Sequence, residues 1–425
     1  MFGNLFLRLG FIAMLMAPLQ TLCAQDQTSD PVAQAIGSAA KIHQHRLDFD
    51  GVVFSGPAWD RLLEEGTKAH FFLLGEEHGI AENPKLAAAL FEALRSPGYN
   101  KLVIEISPTM ADKLDKAILQ DGMKGLRSLF AEPGGEPAFF GMQEEAEMLV
   151  AIRNSVADGK PVFWGVDYEV LSDRQLIHEL EAMDKPSDAK VALANLAAAS
   201  NISWSKHRET GDPGFIFSFN GDPDLVRAIR NAWPDREPRA SQILDTLEET
   251  LEINALFLKG RNWASNARRA ALIRKNFLRH WNDEAANGSV PKFMVKMGAS
   301  HVVRGRSHTE AFDLGSLIPE LAEMSGTRVF SVLVLPGRGA PTAVFDPVKL
   351  TFNAAEPKDG YADDLAPLTS AALSDAFTLI DLRPLREVRG LSRATINRNL
   401  LSTIMGFDMV LVMSGSSASM AMVPP

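Results

Sequence analysis

The sequence predicts a three-layer α/β fold: a mostly parallel central sheet with helices on both faces and a helical insertion acting as a lid. Three observations carry this. Short apolar runs recur at His70–Leu74, Lys101–Ile106, Pro161–Val166, Lys292–Met297 and Arg328–Leu335, and each is continuously hydrophobic rather than alternating, the mark of strands buried on both faces. Segments of helical periodicity such as Pro84–Arg95 and Ala267–Trp281 lie between them, and strand–helix–strand alternation implies parallel pairing. The 425 residues, 46% hydrophobic and 23% charged, have the composition of an ordinary globular protein and suit one large domain with insertions.

At the start of the chain, Arg8 precedes the apolar run Leu9–Leu19, and Gln20-Thr21-Leu22-Cys23-Ala24 comes next. A basic start, a short apolar centre and a small residue before a polar stretch predict a signal peptide over 1–24, cleaved after Ala24. Eleven apolar residues fall short of the ~20 that cross a bilayer, so no transmembrane span is expected after cleavage. Cys23 is the only cysteine and would leave with the signal. The mature chain would then have no disulfide, cysteine nucleophile or thiolate metal ligand. Secretion across the inner membrane into a bacterial periplasm is the expected destination.

Residues 25–45 read as an N-terminal arm, with His43-Gln44-His45 as a surface feature, and 46–425 as a single α/β domain. Within it, 172–281 is rich in Ala, Leu, Glu and Arg, carries no strand signal, and is broken by turns such as Gly211-Asp212-Pro213-Gly214. It is the helical insertion, expected to carry part of the cleft. Ala376–Leu382 and Phe407–Met413 read as late strands, and Asn353–Leu368 as a polar surface loop. The net charge of -10 argues against nucleic-acid binding and leaves a small molecule or peptide as the expected partner. Nothing in the sequence specifies an oligomeric state.

The chemistry lies just past the ends of these runs. His70–Leu74 leads into Gly75-Glu76-Glu77-His78-Gly79, Lys101–Ile104 into Glu105, Pro161–Trp164 into Gly165-Val166-Asp167-Tyr168, and Lys292–Met297 into Gly298-Ala299-Ser300-His301. In open α/β sheets, ligands bind at the carboxyl ends of strands. Two histidines and three carboxylates ending four separate strands therefore predict one polar site of Glu76, His78, Glu105, Asp167 and His301. No GxGxxG, GxxxxGK[ST] or GxSxG motif is present, which leaves His/carboxylate chemistry: an imidazole that deprotonates water and carboxylates that orient it. The same set, with His78, His301, Glu76 and Glu105 foremost, would equally serve as nitrogen and oxygen ligands for a divalent metal such as Mn, Zn or Co.

At these residues the chain resembles the erythromycin esterase-like family, in the wider group that includes haem-uptake lipoproteins and Tiki-type metalloproteases. Leu73-Leu74-Gly75-Glu76-Glu77-His78-Gly79, with Glu82 four residues past the histidine, is similar to its Gly-Glu-x-x-His-Gly motif. Only Glu77 separates Glu76 from His78, a spacing closer to the haem-uptake branch, whereas Gly79 and Glu82 lean toward the esterases. Val103-Ile104-Glu105, Gly165-Val166-Asp167, the helical trio Arg269, Ile273 and Asn276, and Gly298-Ala299-Ser300-His301 resemble the later motifs, in order.

The resemblance implies water attack on an ester or related bond, with no cofactor required. His78 would be the base, Glu76 and Glu105 would orient it, and His301 would act at the carbonyl or leaving group. Asp167 would support one imidazole. Glu77, Glu82, Tyr168 and Arg304 adjoin these residues and are the substrate-contact candidates. A metal-dependent peptidase using the same residues and a non-enzymatic haem- or iron-binding protein are the rival expectations. Phe139-Phe140 and several tryptophans are candidates for an apolar pocket wall, and Arg268-Arg269 reads as part of a solvated helix face.

Overall fold

The computed structural model describes residues 30–156, 159–286, 288, 290–356, 364–391 and 396–422. The expected signal segment, 1–24, lies outside them. Every run predicted to be a strand forms one. In chain order the strands are β1 (Gln44–Phe49), β2 (Phe54–Ser55), β3 (Phe71–Glu76), β4 (Lys101–Ile104), β5 (Phe163–Gly165), β6 (Phe293–Gly298), β7 (Val329–Pro336), β8 (Thr342–Asp346), β9 (Thr351–Ala355), β10 (Phe377–Asp381) and β11 (Met409–Met413).

Nine of them make one sheet in the order β2-β1-β10-β11-β7-β3-β6-β4-β5. From β11 to β5 all pairs are parallel; β10, β1 and β2 extend one edge antiparallel. The fold is the expected three-layer α/β, and its side chains show why. Along β3, Phe72 and Leu74 enter one hydrophobic cluster while Phe71 and Leu73 enter the other. Along β7, Phe330, Val332 and Val334 divide in the same way from Leu333 and Leu335. Both faces of these strands are covered, so alternation of polarity is absent from the sequence.

Residues 172–281 are helical for most of their length, with long helices at Ser187–Thr210, Pro238–Leu258 and Asn262–Ala285. Among the described residues no helix is long and apolar enough to cross a membrane.

Three local expectations change. The segment expected to be an arm contains a helix, Pro31–Ile42, that buries Ala33, Ile36 and Ala40, and Gln44 and His45 then enter the sheet opposite Ile380 and Leu379. Small residues at helical spacing supply only a narrow apolar stripe, which a polar stretch disguises. The tract expected to be a loop from Asn353 begins inside β9, paired with β8 in a separate hairpin, and residues 357–363 of that tract lie outside those described. The hairpin is pinned to the turn after β3, where Ala343 donates its N–H to the Gly79 carbonyl at 2.9 Å. Gly79 has φ +85°, and a Cβ there would meet the Ala343 carbonyl oxygen at 2.4 Å, so only glycine fits.

Candidate active site

The parallel strands β3, β4, β5 and β6 lie in the spatial order β3-β6-β4-β5, so their carboxyl ends share one rim. Glu76 is the last residue of β3, Glu105 comes directly after β4, Asp167 stands two residues past β5, and His301 lies in the short Ala299–Val302 helix after β6. The fold thus brings all four strand ends together, and the distances show a single network.

Glu105 is its centre. One oxygen accepts the Gly298 N–H at 2.7 Å and faces His78 Nε2 at 3.5 Å. The other accepts from Arg269 at 2.9 Å and faces His301 Nε2 at 3.2 Å. Burial would raise this carboxyl, but the two imidazolium charges and their hydrogen bonds hold it well below the usual range. His78 is held from its other side, Nδ1 donating to Glu76 at 2.9 Å. His301 Nδ1 likewise donates to Asp313 at 2.7 Å. Burial opposes the charged form of both rings. The carboxylates overcome it, Glu105 foremost, and push each to about 10. The carboxylates thus favour the imidazolium form of both rings.

Behind Glu76 stands Lys296, 1% exposed, donating to Glu76 at 2.9 Å and to Glu145 at 2.6 Å. Asn83 also donates to Glu76. Charges balance locally: His78, His301, Arg269 and Lys296 face Glu76, Glu105, Asp167 and Asp313, with Glu145 driven to about 7 by burial. Such pairing is what permits so many ionised groups at low exposure.

Several expectations meet the geometry differently. Asp167 grips Arg269 with both oxygens, one at 3.0 Å, whereas Asp313 braces the His301 imidazole. Asp313 also caps the Leu314–Ser325 helix through the Leu314 N–H at 2.8 Å, so its sequence signal is that of an ordinary helix start. Arg269 itself, expected to be solvated, turns inward from the Asn262–Ala285 helix. Asn276 and His280 share that inward line, Asn276 donating to the Val166 carbonyl and His280 lying at 3.0 Å from the Gly165 carbonyl. Its neighbour Arg268 does face outward, paired with Glu249 and Glu252.

Arg304 does not reach the cluster. It forms a two-pronged pair with Asp408 at 2.8 and 2.6 Å, because the chain turns away after the Ala299–Val302 helix and its N–H bonds to the Gly406 carbonyl. Glu82 accepts the Ser417 N–H at 3.0 Å, tying the 417 loop to the start of its helix. Tyr168 lies under the Arg269 guanidinium, 4.7 Å from its ring centre. Glu77 is next to the cluster, and burial pushes its carboxyl up to about 7.

Lys296, Glu145 and Asn83 are not legible as site residues from the motifs. A lysine inside an otherwise apolar strand is the available signal, since lysine is almost never fully buried without a partner.

The site has one aromatic wall. Phe139 stacks on His78, ring centres 4.1 Å apart and planes at 13°, with Phe352 of β9 at 6.3 Å behind it. Phe139 holds φ +67°, a conformation costly for a bulky residue, which places its ring on the imidazole.

Gly298 fixes the spacing on the other side. A Cβ there would sit 3.0 Å from His78 Nε2 and 3.3 Å from Glu105. Gly298→Ala is expected to displace the His78–Glu105 pair and, in any reaction that the pair catalyses, to lower turnover about tenfold with little change in melting temperature. Steady-state kinetics alongside thermal unfolding check this; unchanged kcat means the spacing is not critical.

Ligand atoms of Glu105, Asp167 and His301 lie within 4.8 Å of one another, close enough in principle for a metal ion. Arg269, however, already occupies both oxygens of Asp167 and one of Glu105. All four imidazole nitrogens of His78 and His301 face carboxylates, so a divalent ion would have to displace the arginine. Haem meets a covered ring too: Phe139 stacks on the His78 imidazole, and the Nδ1 atoms of both histidines are already bonded to carboxylates.

No family model and no curated protein matches the chain. Among solved structures, a Bacillus cereus protein aligns over 92% of this chain and 99% of its own, with TM-score 0.56 and 16% identity. A mutant erythromycin esterase in its open conformation aligns over 90% and 100%, with TM-score 0.55 and 15% identity. A succinoglycan biosynthesis protein aligns over 92% and 99%, with TM-score 0.56 and 13% identity. At these identities the likeness is one of fold: over nine-tenths of its length the chain is similar to the architecture of an erythromycin esterase.

Proposed function

We propose that the protein is an exported hydrolase that cleaves an ester or related bond with water, using His78 as base and neither metal nor haem. The observation that supports this most is the Glu76–His78–Glu105–His301–Asp313 chain of alternating acids and imidazoles at the strand ends. The fold likeness to an erythromycin esterase points the same way.

In this reading the neutral form of His78 takes a proton from water at Nε2, and the water oxygen bonds to the carbonyl carbon. Glu76 holds Nδ1–H and offsets the charge that forms on the ring. His301, held as imidazolium by Asp313 and Glu105, hydrogen-bonds the developing oxyanion. The C–O bond then breaks as the alcohol leaves with the proton from His78. Arg269 neutralises Asp167 and Glu105, so it supplies the positive charge that a metal would bring. Phe139 and Phe352 would contact an apolar part of the substrate.

A panel of nitrophenyl esters and peptides tests the reading. Ester hydrolysis that survives EDTA, with no Soret shift on adding haemin, is expected. Activity restored only by Mn, Zn or Co would establish the metallopeptidase instead, and stoichiometric haem binding without turnover would establish the binding protein. Export is tested by fractionating the producing bacterium, with periplasmic protein lacking residues 1–24 as the expected product.

A further inference from the structure

Lys296 occupies a strand position whose neighbours along the chain are apolar. It lies mid-strand in β6, opposite Leu74 of β3, and its ammonium reaches Glu145 of the Gln143–Ser155 helix, which packs Met148, Leu149 and Ile152 into the core. Replacing a buried ion pair by apolar side chains is often neutral or stabilising, so burying this lysine between two glutamates is hard to explain by stability.

Its geometry suggests another role. Nζ reaches both oxygens of Glu76, at 2.9 and 2.8 Å. Glu76 can then present one oxygen to His78 Nδ1 while Asn83 holds the other. On its far side Lys296 is held by Glu145 at 2.6 Å. Among the described residues, the second Glu145 oxygen is buried with no hydrogen-bond partner, as is the Asn83 side-chain oxygen. An unpartnered buried oxygen costs free energy that its own packing does not return. It is tolerated here because Glu145 is aimed at the lysine.

We infer that Lys296 and Glu145 are positioning residues: Glu145 fixes Lys296, Lys296 fixes the orientation of Glu76, and Glu76 in turn holds the His78 ring with Nε2 toward the reacting atoms. The inference rests on His78 as the base. It makes Gln143–Ser155, a helix whose residues carry none of the strand-end motifs, part of the machinery. Among the described residues, the charged groups facing this line belong to it or adjoin it: Glu76, Glu77 and His78 from β3 and its turn, Glu105 after β4, Glu145 from the helix and Lys296 from β6.

The test uses the full chain with p-nitrophenyl butyrate, and nitrogen-15 spectra of histidine-labelled protein. The double variant Lys296→Met with Glu145→Met removes the lysine and its far partner together, leaves Glu76 bonded to His78 and Asn83, and is expected to fold. It should lose about 30-fold in kcat with KM within about threefold, the range seen when outer partners of an active group are removed. The protected His78 Nδ1–H signal of the wild type should weaken or shift. Glu145→Gln, close in shape to the native residue, should lose a smaller part of kcat, again at constant KM, and Lys296→Arg should retain more activity than Lys296→Met.

Wild-type kcat and an unmoved His78 signal in both the double variant and Glu145→Gln would overturn the inference while leaving His78 as base. Undiminished hydrolysis in His78→Ala would overturn the underlying reading instead. If the substrate is not turned over, the Nδ1–H signal alone decides whether the line positions His78.

Discussion

His78→Ala is expected to lower kcat for ester hydrolysis about 1,000-fold, within the range by which a positioned acid–base group contributes to rate. KM should change little, because the imidazole acts on water rather than anchoring the substrate. The pH dependence derives from its carboxylate partners. Burial favours the neutral ring, but Glu105 and Glu76 outweigh it and raise His78 to about 10. At neutral pH the free base is a small fraction, so the rate should climb with pH to a maximum near 10, where loss of the His301 proton ends the rise. Stability moves the other way. A histidine whose folded pKa lies above its unfolded value stabilises fully below the unfolded value, about 6.5, and that contribution is lost as pH rises through the folded value. His301, also pushed to about 10, adds to the same loss. Turnover rising while denaturation midpoints fall over about pH 7–10 is the joint expectation. A rate that is flat over this window would remove His78 from the role of base.

Arg269→Leu carries the largest expected cost to stability, about 3–5 kcal/mol, because it strands buried carboxylates without their partner. Asp167 is 2% exposed and Glu105 8%, and Arg269 bridges the two. Arg268→Ala, one residue away, is the control. Its partners Glu249 and Glu252 are part-exposed and its own side chain is 37% exposed, so it should cost under about 1 kcal/mol. Urea unfolding of the two variants measures the contrast. Equal costs would mean that the carboxylates near Arg269 find other partners or water.

The two arginines also show why part of the site is invisible in the chain. Arg268 and Arg269 are adjacent, identical in type and on one helix, yet one meets surface glutamates and the other the centre of the cluster. Only the helix's rotation over the ends of β4 and β5 distinguishes them. Asp313 is similar: its helix-capping bond is local and readable, but its grip on His301 depends on a loop folding back twelve residues later. Arg304 shows the opposite error, since closeness in sequence to His301 suggests a contact that the turn toward Gly406 removes. Lys296 gives a signal, a charge inside an apolar run, whose partner lies 151 positions away on a helix without a motif.

The layered α/β fold, the strands of the parallel sheet, and the convergence of Glu76, His78, Glu105, Asp167 and His301 at one rim were all legible in the order of residues. Strands covered on both faces must be continuously apolar, and parallel strands place all their carboxyl ends on the same side. Which groups neutralise that cluster, namely Arg269, Asp313, Lys296 and Glu145, became visible with the folded arrangement. Charge pairing acts over a few ångströms in space, and strand order and helix rotation, rather than spacing along the chain, set which side chains come that close.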